Sequence, residues 1–156
     1  MHKLSSQVAS KLHSHPLFKS AKKVLLYNAL WDEVDVLDGY VFNKKQVIIL
    51  PSVIGEELEL HRYGNGTPTH VGAFGITESL GEVENDYASI DLAIIPGRAF
   101  TKEGKRLGRG KGYYDRLLPL LHCKTIGVCF PFQILDDIPT ELHDCKVDEV
   151  ITINEE

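Results

Sequence analysis

Short, fully apolar runs constrain the fold of this chain more than any other feature of its sequence. Three such runs occur, each followed within one or two residues by a polar residue, proline or glycine. Continuous apolar runs of this length are typical of strands buried on both faces of a sheet. We therefore predict buried strands at residues 24–28, 47–50 and 92–95, and further strands at 58–63, 125–130 and 149–153.

Helical periodicity appears between these runs. Leu4, Val8 and Leu12 recur at every fourth position and predict an N-terminal helix that ends near His15. Two further helices are predicted, at residues 33–42 and 113–121. Residues 64–89 are rich in glycine, threonine and acidic residues, and we expect them to form loops with little regular structure.

Strands that alternate with helices predict an α/β fold. We expect a single domain over residues 1–156, with an open, mostly parallel sheet and helices on both faces, in Rossmann-like layers. A chain of 156 residues can bury a sufficient core without a disulfide or a structural metal. Ligands of such sheets bind beyond the carboxyl ends of the strands. This rule points to residues 28–33, to Pro51 and to the loop after Ile95.

Composition and charge exclude several classes of protein. The longest apolar runs span four or five residues, far short of the ~18 that a membrane-spanning helix needs. The net charge of −5 argues against a protein that binds nucleic acid through an overall positive surface. The N-terminal residues have no pattern of a secretory signal, and the three cysteines are expected to be reduced thiols. We expect a cytoplasmic monomer that binds neither nucleic acid nor membrane.

Positive charge is concentrated in one segment. Residues 102–116 hold six cations and two anions, so this segment is +4 while the rest of the chain is −9. Within it, Gly108, Gly110 and Gly112 alternate with basic or apolar residues just before a predicted helix. Glycine lets backbone N–H groups approach an anion closely, and a helix N-terminus adds unpaired donors. The pattern therefore predicts a phosphate-binding loop.

The glycine spacing leaves an alternative open. Lys111 is followed by Gly112 rather than by Ser or Thr, so the segment is not a Walker A loop. The G-x-G-x-G spacing also differs from the dinucleotide-binding fingerprint. A flexible basic surface loop is the alternative interpretation. We favour the phosphate loop because a buried strand precedes it, a helix follows it and the cations cluster there.

The same segment resembles the signature of a known family. The run RLGRGKGYYD at residues 106–115, after IPGRAF at 95–100, is similar to the signature of the 5-formyltetrahydrofolate cyclo-ligases, or methenyltetrahydrofolate synthetases. Further pieces follow in the family's order at 27–33, 74–78 and 133–150, so the resemblance covers nearly the whole chain from Val24 onward. It implies an ATP-dependent ligase that closes 5-formyltetrahydrofolate to 5,10-methenyltetrahydrofolate while Mg-ATP becomes ADP and phosphate.

The resemblance also implies roles for individual residues. The ATP contacts are expected at Arg106, Leu107, Gly108, Arg109, Gly110, Lys111, Gly112, Tyr113 and Tyr114, among which Arg109, Lys111 and Tyr113 are the catalytic candidates. The reduced folate is expected to contact Asn28, Glu33, Phe74, Arg109 and Tyr113. Mg²⁺ is expected at Asp115 and Asp144. Trp31, the only tryptophan, is expected to line the folate pocket.

Simpler roles exist for several of these residues. Glu33 and Asp115 could each serve only to compensate the partial positive charge at the start of a helix. Asp144 could serve only as a turn residue. Tyr114 is equally compatible with a core aromatic. The resemblance departs in one place, because the family begins with a basic segment, roughly Lys-x-x-x-Arg, that Lys3 and Lys11 do not reproduce. A related ATP-dependent enzyme and a non-catalytic nucleotide- or folate-binding protein therefore stay open as alternatives.

Overall fold

The apolar runs of the sequence lie side by side in one sheet. The computed structural model describes residues 2–139 and 145–154. Its sheet has six strands in the order β10–β9–β6–β1–β2–β3, all parallel except β3, which is antiparallel to β2. The predicted open, mostly parallel sheet is confirmed. The helices and strands are α1 (His2–His13), α2 (Pro16–Ser20), β1 (Lys23–Leu25), β2 (Val47–Ile54), β3 (Glu57–Tyr63), β4 (Thr69–Val71), β5 (Thr77–Ser79), β6 (Leu92–Ile95), β7 (Ala99–Phe100), β8 (Arg106–Leu107), α3 (Tyr113–Leu117), β9 (Lys124–Val128) and β10 (Glu149–Ile151).

Helices cover both faces of the sheet, as the sequence predicts. Val8 and Leu12 of α1 pack on one face, against side chains such as Ile48. Leu117 of α3 packs on the other face, against side chains such as Ile49, the residue that follows Ile48 in β2. Alternate residues of a strand point to opposite faces, so an apolar run places side chains in both layers. Burial of each such Leu or Ile side chain contributes about 1.5–3 kcal/mol.

The predicted helix over residues 33–42 is wrong. This segment forms turns, because its backbone groups bond to other parts of the chain instead of to each other. The N–H of Asp35 donates to Ser5 Oγ at 2.8 Å, and the carbonyl of Val34 accepts the Tyr27 hydroxyl at 2.8 Å. The Asp35 side chain accepts the N–H of Leu37, which is the local bond that disfavours helix.

The prediction that β2 ends at Pro51 is also wrong. The strand continues to Ile54 and pairs with β3 along nearly its whole length. Its other neighbour, β1, stops at Leu25, opposite Ile49, so the side of β2 that faces β1 is open from Leu50 onward in the six-stranded sheet. A proline on such an open edge removes no ladder hydrogen bond. The other predicted strands agree with the structure to within three residues at each end.

Residues 64–89 contain more structure than the sequence predicts. Strands β4 and β5 form an antiparallel hairpin, with Thr69 opposite Ser79. A 3₁₀ turn, Ala73–Gly75, occupies its tip. Two short strands were missed as well, β7 and β8, which pair across the basic segment. Runs of two or three residues are too short to show a period of two in the sequence.

The third helix is shorter than predicted. α3 ends at Leu117 and continues as a 3₁₀ turn, Leu118–Leu120. Pro119 explains the change, because it has no N–H to donate to the carbonyl of Asp115. That carbonyl lies instead 3.9 Å from the Sγ of Cys145. All three cysteines are free thiols, and no helix in the described part of the chain has the length and apolar character of a membrane span.

Candidate active site

A cavity of about 740 Å³ lies beyond the carboxyl ends of the parallel strands. Residues that follow β1 and β6 line it, among them Asn28 and Pro96, together with Pro51 and Val53 of β2. The prediction that ligands bind at this edge is consistent with the position of the cavity. The volume is in the range of small-molecule sites.

The cavity brings together the residues that the sequence singles out. The whole run from Arg106 to Asp115 lines it, as do Asn28, Glu33 and Phe74. Asp144 lies outside the described residues. The expectation for Trp31 is wrong, because its side chain is 87% exposed and is not part of the cavity wall. Its neighbour Leu30 lines the wall instead.

The basic loop is anchored at its start by backbone pairing. Ala99 pairs with Leu107, and the N–H of Arg98 donates to the Leu107 carbonyl at 2.8 Å. Gly110 and Gly112 have φ angles of 90° and 71°, in the left-handed region that glycine adopts without strain. These two residues turn the chain into α3. We call residues 106–112 the anion loop.

The positive charge of the anion loop lies on the side chains of Arg106, Arg109 and Lys111. α3 has only five residues, so its dipole contributes less than that of the predicted helix over 113–121 would. Lys111 is exposed, and its side chain forms no hydrogen bond or ion pair with any described residue. Arg106 is oriented by a hydrogen bond of 2.6 Å from Nε to the Pro96 carbonyl, and its guanidinium lies 5.1 Å from the centre of the Tyr114 ring.

Glu33 and Asn28 form the opposite wall. The Glu33 carboxylate is 7% exposed and accepts the N–H of Leu30 at 2.8 Å. Burial raises the pKa of Glu33, while the Leu30 N–H and Arg109 oppose that rise. The amide Nδ2 of Asn28 is buried and has no hydrogen-bond partner among the described residues. A buried donor of this kind costs free energy unless a bound molecule accepts its hydrogen bond.

Aromatic side chains complete the wall. The Phe74 ring lies 6.5 Å from the Tyr113 ring in an edge-on orientation. The Tyr113 hydroxyl donates to the Gly55 carbonyl at 3.4 Å, which holds the ring beside β2. Burial raises the pKa of the Tyr114 hydroxyl far above its ordinary value, so Tyr114 stays neutral at physiological pH.

Asp115 is the described carboxylate that suits a magnesium ion beside the anion loop. It lines the cavity, and its Oδ1 accepts the N–H of Cys145 at 3.3 Å. No group of three metal-ligating side chains occurs within residues 2–139 and 145–154. Magnesium at a nucleotide site takes one or two protein carboxylates plus phosphate oxygens and water, so the donor set is compatible with it.

Glu78 was missed by the sequence analysis as a site residue. Its side chain is buried and lines the cavity. The sequence distinguishes segment 74–78 only by its resemblance to the family, because a single glutamate in a loop-like stretch gives no signal of burial. The hairpin β4–β5, which no periodicity predicted, places it in the wall.

Comparison with known proteins identifies the family. The sequence profile of the 5-formyltetrahydrofolate cyclo-ligase family matches residues 1–153. The chain belongs to this family. A mouse 5-formyltetrahydrofolate cyclo-ligase is 28% identical over 161 residues, which covers 92% of this chain and 79% of the mouse protein. A Mycoplasma genitalium 5-formyltetrahydrofolate cyclo-ligase is 31% identical over 155 residues, which covers 96% of this chain and 81% of the Mycoplasma protein.

A solved structure supports the same assignment. The NMR structure of the Aquifex aeolicus 5,10-methenyltetrahydrofolate synthetase superposes with a TM-score of 0.84 at 43% identity, over 97% of this chain and 78% of that chain. The predictions of the cyclo-ligase family, of its fold and of an ATP-dependent enzyme that closes 5-formyltetrahydrofolate are confirmed.

Proposed function

We propose that the cavity is the site in which 5-formyltetrahydrofolate is closed to 5,10-methenyltetrahydrofolate at the expense of ATP. One observation carries the proposal. The anion loop and the wall formed by Asn28 and Glu33 face a single cavity, and Arg109 connects them. A phosphate donor and a nitrogen-rich ring can therefore bind next to each other.

The reaction needs two steps because an N-formyl group is a weak electrophile. In the first, the formyl oxygen attacks the γ-phosphorus of ATP, and the bond to the β-phosphate oxygen breaks to release ADP. In the second, N10 attacks the formyl carbon and loses its proton, and the carbon–oxygen bond breaks to release phosphate. Neither step needs a nucleophilic side chain, so the site depends on positioning and charge neutralisation.

We assign the phosphate contacts to the anion loop. Lys111 and Arg109 neutralise the charge that develops on the transferred phosphoryl group, and the backbone N–H groups between Gly108 and Gly112 donate to its oxygens. Arg106, Leu107 and Tyr114 complete the ATP contacts. Lys111 is exposed and pairs with no side chain in the described part of the protein, and the guanidinium of Arg109 lies at the cavity wall; both observations support these roles.

We assign the folate contacts to the opposite wall and to the aromatic pair. The Glu33 carboxylate accepts hydrogen bonds from the ring N–H and amino groups, and the unpaired amide N–H of Asn28 donates to a ring acceptor. Phe74 and Tyr113 pack against the flat rings of the folate. Tyr113 belongs to both sets because it follows the anion loop directly.

We assign Mg²⁺ to Asp115 and Asp144. When bound, the ion would neutralise phosphate charge. The N–H of Cys145, the residue after Asp144 in the chain, donates to Asp115, which supports a shared site. A cytoplasmic location, a monomeric state and the absence of nucleic-acid or membrane partners stay predictions.

A direct assay tests the proposal. The purified protein is mixed with 5-formyltetrahydrofolate and Mg-ATP, and the methenyl chromophore is followed by absorbance while ADP and phosphate are quantified. We expect one ADP and one phosphate for each methenyl product. Binding of ATP and folate without turnover would identify a non-catalytic binding protein, and ATP cleavage without the chromophore would indicate another acceptor.

A further inference from the structure

One buried carboxylate of the cavity wall has no part in the chemistry above. Glu78 on β5 is 3% exposed. Its Oε2 accepts the N–H of Val53 at 2.7 Å, and its Oε1 lies 3.3 Å from Nε2 of His70. Val53 belongs to β2 and His70 to β4, so a single side chain connects β2 to both strands of the hairpin. Burial of a carboxylate is costly unless such donors offset it.

The same carboxylate lies directly beneath the turn of the hairpin. A Cβ on Gly72 would come within 2.0 Å of Glu78 Oε1, so the backbone passes over the carboxylate at a distance that only glycine permits. The N–H of Gly72 donates to the Ile76 carbonyl at 2.8 Å and closes the turn. Glu78 therefore fixes both the base and the turn of the hairpin relative to β2.

The hairpin presents one aromatic side chain to the cavity. Phe74 sits at its tip with φ 60° and ψ 19°, in the left-handed region that side chains other than glycine rarely adopt. Its side chain is 59% exposed although it lines the cavity. An uncommon backbone conformation persists only when the surrounding structure holds it. Here Glu78 is the buried group that holds the turn from below.

We propose that Glu78 is a positioning residue for the folate and acts through Phe74. By fastening the hairpin to β2, the carboxylate sets the place of the Phe74 ring opposite Tyr113, where a flat ring of the substrate packs. This inference rests on the proposed function, because it takes the folate as that ring. The Val53 N–H and the His70 ring, which contact the Glu78 carboxylate, lie outside the anion loop, so the role of Glu78 is specific to the folate and separate from ATP binding.

Steady-state kinetics of Glu78→Ala test the role. We expect the KM for 5-formyltetrahydrofolate to rise about fivefold or more, with the KM for ATP within about twofold of the unaltered protein. Glu82→Ala is the matched control, because Glu82 is an exposed glutamate just beyond the hairpin. We expect it to leave both KM values unchanged. Equal rises in the two KM values, or an unchanged folate KM, would overturn the role.

A double-mutant cycle tests whether Glu78 acts through Phe74. Phe74→Ala alone should raise the folate KM, and adding Glu78→Ala to it should change that KM by less than about twofold. Two independent effects that multiply would show that Glu78 acts by another route. An unchanged folate KM in Phe74→Ala would likewise overturn the proposal.

Gly72→Ala provides a second route if Glu78→Ala does not fold. The added methyl group displaces the carboxylate without removing it, so the same folate-specific rise in KM is expected. Glu78→Gln, which keeps an oxygen for the Val53 N–H, should give a smaller rise than Gly72→Ala. Normal folate kinetics in Gly72→Ala would overturn the proposal. If the unaltered protein forms no methenyl product, the proposed function itself fails, which is a separate outcome.

Discussion

Arg109 reaches from the anion loop to Asp32, whose Oδ1 lies 2.6 Å from the Nη2 of the guanidinium. The Nε of the same side chain lies 3.5 Å from Oε2 of Glu33. One cation of the anion loop is thus held by two neighbouring acids, of which Glu33 lines the cavity and Asp32 does not. The two halves of the proposed site are joined through a single guanidinium, and we expect a phosphate group that binds Arg109 to compete with Asp32 for this side chain.

This relationship predicts a gain in nucleotide affinity for Asp32→Asn. Removal of the carboxylate leaves Arg109 available to phosphate and makes the cavity more positive. Because the pair is partly exposed, we expect the Kd for ATP to fall by only about twofold to fivefold, and less at high salt. Calorimetric titration at two salt concentrations measures this. Asp35→Asn, on the same segment, is the control, and weaker ATP binding by Asp32→Asn would contradict the competition.

Lys111→Ala should lower turnover far more than substrate binding. The ammonium group is proposed to act on the charge of the phosphoryl group in transfer, and loss of one such contact costs about 100-fold in kcat. The Kd for 5-formyltetrahydrofolate should stay within about twofold of its original value. Lys102→Ala is the control, because Lys102 is an exposed cation of the same basic segment that does not line the cavity. Near-normal turnover in a folded Lys111→Ala protein would remove this residue from the catalytic set.

Asp115→Asn should increase the requirement for magnesium. An amide is a weaker ligand than a carboxylate, so we expect the Mg²⁺ concentration for half-maximal rate to rise by about tenfold. Titration of Mg²⁺ at fixed ATP measures the shift, and binding of Mg-ATP followed by calorimetry gives a readout that does not depend on turnover. Asp137→Asn is the control, since Asp137 is an exposed carboxylate paired with Lys105. An unchanged titration would leave Asp115 with only a charge role at the start of α3.

Glu33→Gln should separate folate binding from ATP binding. As a folate ligand, Glu33 accepts hydrogen bonds in its ionised form, so the variant should raise the folate KM. Its contact with Arg109 is longer than that of Asp32, 3.5 Å against 2.6 Å, so the KM for ATP should change by less than about twofold. Because burial raises the pKa of Glu33 above its ordinary value of 4.5, the acidic limb of the folate kcat/KM profile should flatten in the variant. Normal folate kinetics would remove Glu33 from the site.

The same pKa shift predicts a pH dependence of stability. The folded protein binds the Glu33 proton more tightly than the unfolded chain, so this contribution is fully present below pH 4.5 and is lost as the pH rises through the raised pKa. The difference in free energy of unfolding between the unaltered protein and Glu33→Gln should therefore decrease as the pH rises from 4.5 through the raised pKa. Urea unfolding at a series of pH values measures it, and a constant difference would show that the carboxyl is not perturbed.

Other parts of the molecule were not accessible to sequence reasoning. The predicted helix over 33–42 has apolar residues at helical spacing, yet Ser5, Tyr27 and Asp35 provide tertiary and local hydrogen bonds that the helix would lose. Periodicity reports only which side chains prefer burial. It does not report which backbone groups find partners elsewhere.

The sequence by itself determined the buried strands and the helical layers on both faces, because continuous apolar runs of four residues are typical of strands buried on both faces of a sheet. It also determined the family, because the RLGRGKGYYD motif is specific. Only the tertiary structure decided that Trp31 lies outside the cavity, that Arg109 joins Asp32, and that Glu78 is buried beneath the Phe74 hairpin. Arg109 and Asp32 are distant in the chain, as are Glu78 and Val53, whose N–H donates to the Glu78 carboxylate. The energies of these contacts depend on distances and burial that arise only when the sheet has assembled, so no local pattern encodes them.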